Sequence, residues 1–107
     1  MKLRIEDDTL RLRLSDAEVQ AFAATGRVAT AVHFGAGADQ QLTYALERAE
    51  AAAVGVRYAP GTLTVLVPRA LADAWTGTDR NGFSERVALA DARQLRILVE
   101  KDLDCRH

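Results

Sequence analysis

The chain has 107 residues, a length typical of one domain with a single modest core. Hydrophobic residues make up 49% of it and charged residues 27%, and the formal net charge is −1 with acids and bases spread evenly along the chain. This even balance disfavours nucleic acid as the principal partner, because phosphate neutralisation needs a clustered basic surface. No apolar run approaches the roughly 20 residues of a membrane-spanning helix. The single cysteine excludes an internal disulfide and favours the cytoplasm.

Alternating side chains near the N-terminus predict two short strands, residues 2–6 and 9–14, around an acidic turn. Arg11 and Arg13 alternate with leucines in the second strand and should face solvent. Ser15 and Glu18 then have the spacing of a capping box, which predicts a helix of about ten residues ending near Gly26.

Two further strands are predicted after this helix, at residues 27–34 and 40–48. The segment between them, residues 35–39, contains a Gly-x-Gly sequence. It lacks the Lys-Ser/Thr pair of a phosphate-binding loop and is followed by a strand, so a flexible hairpin is the better interpretation.

The second half of the chain predicts the same order of elements. A helical turn over residues 50–53 is followed by strands, a helix and two more strands. The strands are expected at 54–59, 62–67, 83–90 and 93–101. The helix should begin beside Pro68, end near Gly77 and bury Leu71, Ala74 and Trp75.

An internal repeat underlies this order. Shifting the sequence by 53 positions without a gap places Thr9 on Thr62 and Phe22 on Trp75, and it keeps the alternation of the strands in phase. We therefore predict an α+β fold in which residues 1–107 form a single domain of two ββαββ units, at about 1–50 and 54–103. The sheet should be mostly antiparallel, with two short helices.

The strands of the second unit are apolar on both faces, with Leu66 and Leu98 where the first unit has Arg13 and Ala45. Such strands are either central in a sheet or covered by another surface. A homodimer formed through the outer face that carries Leu66 and Leu98 is one prediction from this pattern.

Few residues could carry chemistry. Cys105 and His107 at the C-terminus, together with His33, could contribute to a transition-metal site such as zinc, although four ligands are the rule and a frayed polar terminus is the alternative. Neither a nucleophile with its base nor a pair of carboxylates can be identified, so no catalytic residue is predicted. Arg11, Arg13 and Arg96 could line one sheet face and attract an anion, with a solvated face as the alternative.

Three segments carry a family resemblance: Leu10-Arg11-Leu12-Arg13-Leu14, Gln41–Glu47 (QLTYALE) and Leu95–Cys105 (LRILVEKD-x-x-C). With them the chain resembles a family of small uncharacterised bacterial proteins, a domain of unknown function. The resemblance implies no activity and no ligand residue. Two classes of function remain open: a small non-catalytic cytoplasmic interaction or regulatory module acting as a homodimer, and a metal-binding protein using the C-terminal Cys/His end. A small enzyme is a third.

Overall fold

The computed structural model describes residues 1–102 and contains eight strands and two α-helices. The strands are β1 (Lys2–Glu6), β2 (Thr9–Leu14), β3 (Arg27–His33), β4 (Gln41–Ala49), β5 (Gly55–Ala59), β6 (Thr62–Pro68), β7 (Gly82–Ala88) and β8 (Gln94–Lys101). The helices are α1 (Asp16–Thr25) and α2 (Arg69–Thr76), and a single 3-10 turn spans Ala90–Ala92. None of the helices in this part of the chain is long and apolar enough to cross a membrane.

The strands form two four-stranded sheets of the same topology. Sheet A has the order β1-β2-β8-β7 and sheet B the order β3-β4-β6-β5. In each sheet the two central strands are parallel and each pairs with its own antiparallel edge strand. The α+β class with mostly antiparallel pairing is therefore confirmed. Each half of the chain contributes one hairpin to each sheet, which the sequence did not indicate.

The strand registers match the predicted repeat. Thr9 lies opposite Arg96 in sheet A, and the residues at the corresponding positions 53 away, Thr62 and Thr43, lie opposite each other in sheet B. The β1–β2 and β5–β6 hairpins correspond in the same way. This agreement between the two sheets supports an internal duplication.

The repeat does contain a gap, which corrects the ungapped alignment. Arg27 on β3 lies opposite Glu47, whereas Gly82 on β7 lies opposite Glu100. The two glutamates are 53 residues apart but Arg27 and Gly82 are 55 apart. Two extra residues therefore precede β7, and the following hairpin loop is two residues shorter, so the shift is cancelled before β8.

Asn81, which directly follows the two-residue insertion, provides a hydrogen-bond acceptor for Trp75. The equivalent residue in α1 is Phe22, which has no polar atom, whereas the indole Nε1 of Trp75 donates to the carbonyl of Asn81 at 3.0 Å. Buried indole N–H groups normally need such a partner. Upstream of Asn81 the 53-residue offset still holds, because Thr25 and Thr78 each donate to the carbonyl four residues before them.

The core lies between the apolar faces of the two sheets and the helices. Phe22 and Trp75 are fully buried and their ring centroids are 6.0 Å apart, so equivalent residues of the two units meet in the middle of the molecule. This contact confirms that both are core residues. The other buried hydrophobic residues of this cluster are Leu12, Leu14, Val19, Tyr44, Leu46, Val54, Val65, Val67, Ala72, Phe83, Ile97 and Val99.

The helix ends follow the sequence signals. The Ser15 Oγ accepts from the Glu18 amide at 3.3 Å and a Glu18 carboxylate oxygen accepts from the Ser15 amide at 2.9 Å, which confirms the capping box. Gly26 has φ +80° and ends α1 in the left-handed conformation. Burial raises the pKa of Glu18, but its hydrogen bonds from the Met1 amino group and from Ser15 outweigh this effect and lower the pKa from its ordinary value of 4.5.

Three local predictions were wrong. Residues 50–53 form bends instead of a helical turn. Ala74 is exposed, and Ala72 takes the buried position in α2 because the helix is rotated slightly from the expected face. Strand β7 starts one residue earlier than expected. It also ends earlier, because residues 90–92 form the 3-10 turn.

Candidate functional site

The outer face of sheet A, away from the core, is rich in cations. Alternation along the four strands directs one set of side chains into the core and the other set outward. The outward set contains six cationic side chains and only two carboxylates, Glu6 and Glu100. We call this surface the cationic face; its cations are Lys2, Arg4, Arg11, Arg13, Arg86 and Arg96.

Cations on the cationic face lie directly opposite one another on paired strands. Arg4 is the partner of Arg11 and Lys2 is the partner of Arg13 across β1 and β2. Arg86 is the partner of Arg96 across β7 and β8. Like charges in directly opposite positions destabilise a sheet, typically by a few tenths of a kcal/mol to about 1 kcal/mol per pair. Lys2, Arg4 and Arg11 each also contact a carboxylate, whereas Arg86 and Arg96 contact none within residues 1–102.

Two of the shallow depressions on the cationic face are lined by arginines. The first, of about 240 Å³, is lined by Arg4, Glu6, Thr9, Arg11, Arg96 and Leu98. The second, of about 130 Å³, is lined by Lys2, Leu3, Arg4, Arg11 and Arg13. Arg4 and Arg11 line both depressions, so the two form one continuous, open surface.

Carboxylates neutralise only part of this charge. The Nζ of Lys2 donates to Asp102 at 2.7 Å, the Nε of Arg4 lies 2.7 Å from Glu6, and the Nε of Arg11 lies 2.8 Å from Glu100 Oε1. The Glu100 Oε1 is buried and receives no aligned hydrogen bond, so its contact with Arg11 is an ion pair without hydrogen-bond geometry. Within residues 1–102, no ion pair involves the remaining arginines of the face, Arg13, Arg86 and Arg96.

The outer face of sheet B has the same strand geometry but different chemistry. Its arginines, Arg27 and Arg57, both pair with Glu47, at 3.2 and 3.3 Å. Glu47 is equivalent to Glu100, and Arg57 is equivalent to Arg4. Around them the face carries mainly alanine and threonine: Ala29, Ala31, Thr43, Ala45, Thr62 and Thr64. The large excess of cations over carboxylates is therefore a property of sheet A and not of the fold.

The cationic face is suited to binding carboxylate or phosphoryl groups. A guanidinium group offers a planar set of donors that matches either anion, and it stays charged at all physiological pH values. Leu98 lies between Arg11 and Ser84 and gives the surface a small apolar centre. Arg11, Arg13 and Arg96 lie together on this face, as the alternation in the sequence predicted for an anion-binding surface. Lys2, Arg4 and Arg86 could not be predicted as members of this face, because they lie on edge strands whose position in the sheet was unknown.

The residues predicted to bind metal are not brought together in the described part of the chain. His33 is exposed at the end of β3, and residues 1–102 contain no group of three or more His, Cys, Asp or Glu side chains placed to hold an ion. Cys105 and His107 lie outside the described residues. The zinc site therefore stays a prediction.

Leu66 and Leu98 do not share a surface, which corrects the predicted apolar outer face of the second unit. Leu98 lies on the outer face of sheet A and Leu66 on the outer face of sheet B, because the two hairpins of the second unit enter different sheets. Both leucines are half-buried on central strands. Their apolar neighbourhood reflects this central position, and they do not form one continuous outer face.

The chain belongs to a family of unknown function (DUF7009), whose model matches residues 1–107. This confirms the resemblance to a domain of unknown function. Neither a curated protein nor a solved structure matches the chain.

Proposed function

We propose that this protein is a small non-catalytic interaction module that binds an acidic segment of a partner protein on the cationic face. The observation that carries the proposal is the group of six cations on one sheet face, in which Arg86 lies directly opposite Arg96 and these two and Arg13 have no carboxylate partner within residues 1–102. A bound carboxylate chain would turn this repulsion into attraction, because each anionic group could lie between two cations.

The shape of the face favours a peptide over a small molecule. Small-molecule sites are usually concave and mostly apolar, and they bury most of the ligand surface. The depressions here are shallow and lined mainly by charged side chains. An extended acidic segment can follow such an open surface and contact several arginines in succession.

The composition of the face argues against nucleic acid. Surfaces for single-stranded nucleic acid combine a basic groove with aromatic side chains on which bases stack. The outward side chains of sheet A include no aromatic residue, and Glu6 and Glu100 interrupt the basic surface. As part of the proposal we keep the cytoplasm as the compartment, supported by a single cysteine that excludes internal disulfides.

Arg4 and Arg57 provide a matched test, because they occupy equivalent positions on the two sheets and are similarly exposed. The probe is a fluorescently labelled hexaglutamate peptide at about 50 mM salt, where surface electrostatics is only weakly screened. We expect Arg4→Gln to weaken binding about fivefold, corresponding to about 1 kcal/mol, and Arg57→Gln to leave it unchanged. Equal losses from the two variants would show that net charge alone, and not this face, attracts the peptide.

The carboxylates provide a second test of opposite sign. Glu100→Gln removes a negative charge from the cationic face and frees Arg11, so peptide binding should become tighter. Glu47→Gln, the equivalent change on sheet B, should have no effect. If pyrophosphate or a single-stranded oligonucleotide bound with the same dependence on Arg4 and Glu100 while hexaglutamate did not bind, the acidic-peptide proposal would be wrong.

A further inference from the structure

Strand β3 is an edge strand with an unprotected edge. Edge strands of soluble proteins commonly carry charged side chains that prevent pairing with another chain. The other edge strands of the described fold follow this rule, with Lys2, Arg4 and Glu6 in β1, Arg57 in β5, and Glu85 and Arg86 in β7. In β3 the five residues between Arg27 and His33 are all uncharged.

The uncharged segment has a palindromic sequence. Residues 28–32 read Val-Ala-Thr-Ala-Val, which is the same in both directions about Thr30. Two antiparallel copies centred on Thr30 would therefore match every side chain with its own type. Val28 would lie opposite Val32 of the partner subunit, Ala29 opposite Ala31 of the partner subunit, and Thr30 opposite its own copy. Such β-branched cross-strand pairs are among the favourable ones.

The backbone of β3 is in the correct phase for this pairing. Phe34 donates its amide to the Gln40 carbonyl, which places even-numbered residues of β3 at positions hydrogen-bonded to β4. In an antiparallel ladder the N–H and C=O groups of the alternate residues, including Ala29 and Ala31, point away from β4. Pairing centred on Thr30 places Ala29 opposite Ala31 of the partner subunit. The unused N–H and C=O groups of one strand then face those of the other and can form hydrogen bonds.

The edge is also accessible. Ala29, Ala31 and His33 are exposed, and Val32 is 39% exposed. Phe34, just after the strand, is 69% exposed and points to the same side as Val32.

We infer that β3 pairs with β3 of a second copy of this chain across a twofold axis at Thr30. Sheet B then becomes one continuous eight-stranded sheet in a symmetric dimer. Symmetric self-association of identical patches is the commonest form of oligomer. The dimer leaves the cationic face of sheet A open, so this inference does not depend on the proposed function.

The wild-type protein allows a first test by amide hydrogen exchange at a concentration where the dimer forms. The amides of Ala29 and Ala31 should be protected, whereas those of Ser84 and Arg86, which occupy equivalent outward positions on β7, should exchange rapidly. Light scattering should give twice the 11.6 kDa mass of one chain. A monomer at about 50 μM, or rapid exchange of Ala29 and Ala31 in a dimer, would overturn the inference.

Proline variants provide the second test. Ala29→Pro removes an outward amide that the protomer does not use, and proline is tolerated at such positions of edge strands. We expect it to shift the protein to a monomer with an unchanged circular dichroism spectrum. Ser84→Pro, the matched change on β7, should leave the dimer intact. If Ala29→Pro unfolds the protomer, the double variant Ala29→Lys/Ala31→Lys replaces it. This places two lysines opposite each other on each side of Thr30 and keeps the backbone unaltered. A dimer that survives the lysine substitutions would refute the assignment of the interface to β3.

Discussion

Removing one arginine from the cationic face should stabilise the free protein while weakening its binding. Arg96 lies opposite Arg86, and neither forms an ion pair with a carboxylate of the described residues. In Arg96→Gln the repulsion disappears and the backbone pairing is retained. If Arg96 instead stabilised the fold, its replacement would lower the free energy of unfolding.

The size of the effect can be bounded from the geometry. Side chains at directly opposite positions have Cβ atoms about 5 Å apart, and flexible guanidinium groups can separate to about 8 Å. Two unit charges about 8 Å apart in water interact with about 0.5 kcal/mol. For a domain of this size, about 0.5 kcal/mol corresponds to a rise of about 2–4 °C in Tm.

The assay is thermal or urea unfolding of the wild type, Arg96→Gln and Arg57→Gln at two salt concentrations. Arg57 contacts Glu47, so its replacement should be neutral or slightly destabilising. The gain from Arg96→Gln should be present at about 20 mM salt and absent at about 1 M, where the Debye length is about 3 Å. The reasoning would be refuted if Arg96→Gln lowered stability at low salt, or raised it equally at both concentrations.

Two further predictions concern the fold. Trp75→Phe makes α2 resemble α1 and removes the hydrogen bond to Asn81. The free energy of unfolding in urea should fall by about 2–3 kcal/mol, because the hydrogen bond is lost and the ring is smaller. A fall of less than about 0.5 kcal/mol would contradict the role given to the Asn81 carbonyl. Glu18→Gln should lower stability at neutral pH by up to about 1 kcal/mol. The folded pKa of Glu18 is lowered, so its contribution is complete above the unfolded pKa and is lost as pH falls through the folded value. The difference in free energy of unfolding between the wild type and Glu18→Gln should therefore disappear below about pH 4.5. A difference that stayed constant down to about pH 2 would contradict this origin.

Local elements could be predicted because their signals lie within a few residues of one another. The capping box at Ser15 and Glu18 and the glycine at the end of α1 needed no knowledge of tertiary structure. The repeat offset also followed from alternation, which is a local property. The two-residue insertion before β7 was missed because a compensating deletion in the next loop returns the sequence to the same offset at β8.

The pairing of distant strands could not be predicted in this way. Parallel pairing of β2 with β8 brings Arg11 beside Leu98 and within 2.8 Å of Glu100. These residues are separated by most of the chain, so nothing in the local pattern placed them together. An even distribution of charge along the sequence was therefore a poor guide to its distribution in space.

The difference between the two sheets is the strongest reason to assign function to these surfaces. Both sheets face one core and share strand order and most registers, so the requirements of folding act on them almost equally. Where one sheet has Arg11 and Arg96 the other has Thr64 and Thr43, and folding alone accommodates both choices. The edge strands differ in the same way, since β7 carries Glu85 where β3 carries Thr30. A pair of like-charged arginines costs stability and an uncharged edge risks aggregation, so each feature needs a compensating contact from outside the protomer. The proposed anionic partner on sheet A and the proposed second copy on sheet B would supply those two contacts at separate surfaces.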